Sequence, residues 1–172
     1  MPSTANLAML AIILLILIAA TYLLFERWAK FKDREWMFQL KSENNKAMAP
    51  LRISACERLV VMLERITPTS IVMRHNNAST SGMLQLELVR AIREEFEHNV
   101  SLQMYVSLYT WEKIKRAKDD TVDLVKVAFT KVRPEAPAMD LSREIFKLEA
   151  AVGNASIKDA VGAIRGEIER HF

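Results

Sequence analysis

The chain has 172 residues, with 24 Lys and Arg against 21 Asp and Glu, a formal charge of +3 and an apolar share of 51%. Its one cysteine, Cys56, excludes an intramolecular disulfide and fits a reducing compartment, and its 4 glycines include no G-x-x-x-x-G-K-[ST] or G-x-G-x-x-G phosphate loop. The basic excess is local: residues 26–52 hold 7 basic and 4 acidic side chains, whereas residues 53–172 hold 17 of each, so no basic stripe is left to follow a nucleic-acid backbone.

Leu7–Phe25 is a run of 19 residues without a charge, and no charged side chain precedes it. As a helix it spans roughly 28 Å, close to the hydrocarbon thickness of a bilayer. With no basic n-region, a run longer than a usual h-region and no A-x-A cleavage site, it reads as a transmembrane helix rather than a signal peptide. Arg27, Lys30, Lys32, Arg34, Lys41 and Lys46 all follow the run. The positive-inside rule therefore puts residues 1–6 outside the cell and the C-terminal domain in the cytoplasm, a single-pass inner-membrane topology. Tyr22, Phe25, Arg27, Trp28, Lys30, Phe31, Lys32 and Arg34 fall at the inner headgroup layer, where amphipathic rings and cations meet lipid. Residues 26–48 then continue as a basic juxtamembrane helix, and Ala49–Pro50 predicts a break.

Residues 49–172 read as one soluble all-α domain. Leu51, Ala55, Leu59, Leu63 and Ile66 recur at helical spacing, with Cys56 beside them as core, and Thr67–Pro68 ends that helix. Residues 69–76 are open between a helical turn and a strand; the polar run after them supplies Thr80 or Ser81 as an N-cap. The stripe Leu84, Leu88, Ile92 and Phe96 predicts an amphipathic helix over 83–98. From Val100 to Leu108 apolar and polar residues alternate strictly. A linker packed on the helices is favoured there, with a minor two-stranded element, paired to 70–73, as the alternative. Further helices are expected over 110–133, 141–152 and 157–171, with Gly153 as a C-cap and Ser156 with Asp159 as a capping box. Gly162 and Gly166 suggest a close helix contact.

Among chemical candidates, Glu95 and His98 form an E-x-x-H unit like those of di-iron sites. Such a site needs a second copy and further carboxylates, which this chain lacks. The plainer reading of His98 is an imidazole at the negative end of its own helix. No catalytic residue, cofactor or small-molecule substrate is implied; the 9 methionines could line a promiscuous groove, but Met62 and Met83, beside apolar stripes, read as core filler.

The stretch from Cys56 to Pro68, CERLVVMLERITP, followed by Ile92 to Asn99, IREEFEHN, and by Tyr105-Val106-Ser107 and Trp111, resembles an uncharacterised family of small membrane-anchored proteins from Bacteroidetes-type bacteria. That resemblance covers the anchor and most of the domain; it implies a bacterial inner membrane and brings no assigned activity. The expected function is a membrane-anchored interaction or scaffold domain, such as an accessory subunit of an inner-membrane complex, bound to lipid and to a protein partner or to itself. The alternatives are a metal-dependent enzyme using Glu95 and His98, or a lipid-sensing juxtamembrane regulator.

Overall fold

The computed structural model describes the backbone of residues 4–75 and 77–171 and the side chains of residues 13–28, 48–75 and 77–169. The chain falls into two units, Met1–Met48 and Ala49–Phe172. Among the described residues it is all-helical: α1 (Thr4–Arg65), α2 (Pro68–Arg74), α3 (Ser81–Asn99), a 3-10 helix (Val100–Tyr105), α4 (Leu108–Phe129), α5 (Ala138–Val152) and α6 (Ala155–His171).

In the first unit, Ile13 to Ile18 and Tyr22 to Phe25 expose between 45% and 68% of their surface. The Thr21 hydroxyl is satisfied within the helix, donating to the carbonyls of Leu17 at 3.0 Å and Ile18 at 2.9 Å. Leu7 to Ile12 of the apolar run lie outside the described side chains, and among the described residues no helix is long and apolar enough to cross a membrane.

The second unit begins inside α1. Pro50 lies within that helix rather than breaking it. Its missing N–H removes one hydrogen bond, a local loss that the buried stripe Ala55, Cys56, Leu59, Met62, Leu63 and Ile66 outweighs. Leu51, expected on that stripe, is exposed.

Thr67 closes α1 and opens α2: Pro68 needs no N–H in a first turn, and the Thr67 hydroxyl accepts from the Ser70 amide. Thr80 caps α3 by accepting from the Met83 amide, and Leu84, Leu88 and Ile92 are fully buried. Phe96 stacks on Trp111 of α4 with ring centroids 5.3 Å apart. Met83, expected as core, is exposed. The α4 face comprising Trp111, Ile114, Ala117, Thr121, Val125 and Ala128 packs among α3, α5 and α6.

Residues 70–73 lie in α2 and residues 100–105 in the 3-10 helix, so the minor two-stranded element does not form. The operative period in this stretch is three. Asn99, Leu102 and Tyr105 turn inward together, while Val100 and Met104 of the alternating set are exposed. Asn99 secures the turn by donating from its side-chain amide to the Glu95 carbonyl at 2.8 Å.

The loop between α4 and α5 clasps the start of α3. The amides of Ser81 and Gly82, which no helical carbonyl can reach, donate to Ala136 at 2.8 Å and Pro134 at 2.9 Å. The Ser81 hydroxyl donates to the Pro137 carbonyl, and an isolated antiparallel bridge joins Thr80 to Pro137.

Candidate functional site

Three constellations in the second unit bear on function. The first is a groove of about 330 Å³ assembled from four helices. Leu124 and Val127 of α4, Leu148 and Val152 of α5, Ile157 of α6 and Pro68 of α2 make its apolar walls. Two of these walls are conspicuously uncovered, Val127 at 49% and Val152 at 69% exposure. Asp120 and Asp123 stand on the α4 side.

The α5–α6 turn that forms one lip is fixed locally. Gly153 takes φ 69° and ψ 179°, a region open essentially to glycine, and its amide donates to the Glu149 carbonyl at 2.7 Å. The Glu149 carboxylate accepts from Thr69 at 2.5 Å and from Asn154 at 2.8 Å, tying the turn to α2.

The second constellation is a buried carboxylate. Glu167 of α6, only 6% exposed, accepts from the Thr110 hydroxyl at 2.6 Å, from the Ser107 amide at 3.1 Å and from the Ser107 hydroxyl. Ser107 is the N-cap of α4, so the charge sits where the unpaired amides and positive end of that helix favour an anion. The charges of Glu167 and Arg52 both reach Cys56. Burial pushes its thiol above the ordinary range, Glu167 pushes it further, and Arg52 opposes them. Sequence periodicity did carry a signal here, because Ile157, Ala160 and Ile164 are buried and Glu167 continues their stripe.

The third contains half of the E-x-x-H unit. Glu95 is held by Arg65 at 2.9 Å and Arg74 at 3.3 Å, and Arg74 also donates to the Arg65 carbonyl at 2.6 Å. Its carboxylate thus lies in a clamp between α1, α2 and α3, while His98 is exposed. His75 caps the end of α2, and the His171 side chain lies outside the described residues. Among the described residues no group of three or more His, Cys, Asp or Glu is placed to hold a metal.

Of the residues expected at a membrane interface, Tyr22, Phe25, Arg27 and Trp28 are exposed, with the Phe25 and Trp28 rings 6.2 Å apart. Lys30, Phe31, Lys32 and Arg34 lie outside the described side chains. A Cβ added at Gly162 meets nothing within 4 Å, so this glycine makes no close helix contact.

Residues 3–171 match the model of a family of unknown function, DUF7935. The chain belongs to this family. No curated protein and no solved structure matches it. The DUF7935 match spans residues of both units and of all three constellations.

Proposed function

We propose that this chain is a single-pass protein of a bacterial inner membrane whose domain, residues 49–172, faces the cytoplasm and binds another protein as a scaffold or accessory subunit. The observation that carries the interaction reading is the groove between α4 and the α5–α6 turn. Its walls are apolar, and Val127 and Val152 leave roughly half or more of their surface in water. Exposed apolar surface lining a concavity is stabilised when a partner covers it.

The anchor reading is supported by composition: from Ile13 to Phe25 the described side chains include no charge, and the large apolar ones are exposed around the helix. A helix apolar on all sides needs lipid or protein around it. The 7 basic side chains of residues 26–52 supply the orientation.

Photocrosslinking from position 152 in native membranes, followed by mass spectrometry, tests the interaction. A discrete protein adduct is expected; recovery of lipid and uncrosslinked monomer alone overturns the reading. Carbonate extraction tests the anchor separately, since release of the full chain into the soluble fraction rejects it.

A further inference from the structure

The geometry points to a partner of particular chemistry: the groove receives a basic amphipathic helix from another protein, seating apolar side chains against Leu124, Val127 and Val152 and placing Lys or Arg against Asp120 and Asp123. This rests on the interaction reading above and narrows it to one class of ligand.

Charge is the first argument. The residues lining the groove include two aspartates and no basic side chain. Each aspartate has a neighbour on its own helix, Arg116 at 3.9 Å from Asp120 and Lys126 at 3.0 Å from Asp123, but all four side chains are at least half exposed. Such surface pairs are weak and screened, and they leave the carboxylates able to accept further donors.

Two of the other polar side chains in the groove, Thr121 and Asn154, are already committed. Thr121 donates its hydroxyl back to the Ala117 carbonyl at 2.8 Å, and Asn154 donates to Glu149. The carboxylates at the rim are thus the strongest acceptors on offer, and ionised carboxylates are acceptors only, so an incoming segment must bring donors, best of all cations.

Spacing is the second argument. Asp120 and Asp123 lie three residues apart on α4, about one turn, which matches cations one turn apart on an incoming helix. A concavity of about 330 Å³ suits apolar anchor side chains at helical spacing rather than a whole domain surface. An acidic segment finds no cation in the lining, and Arg116 and Lys126 beside the groove are already paired with the two aspartates, which gives the site its selectivity.

The test uses the full chain in zwitterionic nanodiscs with labelled valine and leucine methyls. It is titrated with a Leu/Lys amphipathic helical peptide and with the same peptide carrying Glu for Lys. The Lys peptide is expected to move the Val127 and Val152 methyl signals, and D120N/D123N to weaken its apparent affinity by about tenfold or more. D120K/D123K should transfer the response to the Glu peptide. Equal responses to both peptides, an affinity in D120N/D123N within about twofold of the parent, or movement confined to lipid-facing residues overturns the inference. The position-152 crosslink separates the two levels. An adduct with another protein that persists in D120N/D123N, or an adduct of the chain with itself, rejects the basic partner while leaving an interaction surface; no protein adduct in either form rejects the interaction reading as well.

Discussion

The Glu167 carboxylate accepts a 2.6 Å hydrogen bond from the Thr110 hydroxyl, joining the last turns of α6 to the first turn of α4. Both residues are buried, so each satisfies a group that folding has removed from water. Glu167→Gln retains the size but loses the charge that faces the amides of α4. It should destabilise the full chain by about 1–3 kcal/mol. Thr110→Val should cost about as much, and the double variant less than the sum, since both remove the same bond. Chemical denaturation followed by near-UV circular dichroism checks this; full additivity defeats the coupling.

Cys56 responds to pH through the same neighbourhood. Burial and then Glu167 raise its pKa above the ordinary thiol value, with Arg52 opposing them, so the thiol ionises less readily folded than unfolded. The stability this represents is complete below the unfolded value and is lost as pH rises from there through the folded value. As pH rises through the ordinary thiol range and beyond it, wild type should therefore lose more stability than Cys56→Ala. Alkylation of the native thiol at pH 8 should also run at least about 100-fold slower than in denaturant. Rapid native alkylation contradicts both expectations.

Glu95 and His98 should separate sharply on substitution. Glu95→Gln weakens contacts to two arginines and is expected to cost about 1 kcal/mol, with a smaller difference in high salt. His98→Ala, at an exposed position, should fall within about 0.5 kcal/mol of wild type. Because both arginines already occupy the Glu95 carboxylate, added Zn²⁺ or Mn²⁺ should leave thermal stability unchanged in all three proteins. Metal-dependent stabilisation that vanishes in Glu95→Gln restores the metal reading.

Two glycines should respond with opposite signs to alanine. Gly153→Ala forces a side chain into the φ 69°, ψ 179° conformation at the groove lip and should destabilise by about 1–3 kcal/mol. Gly162 is exposed inside α6 with open space around its Cβ position, so Gly162→Ala should stabilise by up to about 1 kcal/mol. Parallel thermal melts decide between them.

Much of the helical fold was legible because periodicity and capping agree. The α3 stripe at Leu84, Leu88 and Ile92, the Thr80 cap and the Gly153 stop all appear in the structure. The stretch after α3 was harder, since its alternation of apolar and polar residues has period two while the backbone turns with period three. Backbone choice there follows the burial of Asn99, Leu102 and Tyr105, which is set by tertiary packing. Pro50 misled for a related reason: a local helix penalty does not decide a segment whose next turns are anchored in a core. The groove left no trace in any single segment, because its walls come from four different helices, with Pro68 of α2 far in sequence from the α4–α6 residues it joins. Glu167 was legible in principle, as a carboxylate on an apolar stripe.

The clasp between the start of α3 and the loop before α5 has a kinetic consequence. The Ser81 and Gly82 amides, and that of Ala138 donating to Ser79 at 3.4 Å, are protected by chain more than 50 residues away. They become shielded only when α3 and the α4–α5 loop have docked, so these amides should acquire protection late in refolding and surrender it together during hydrogen exchange, reporting a single opening event.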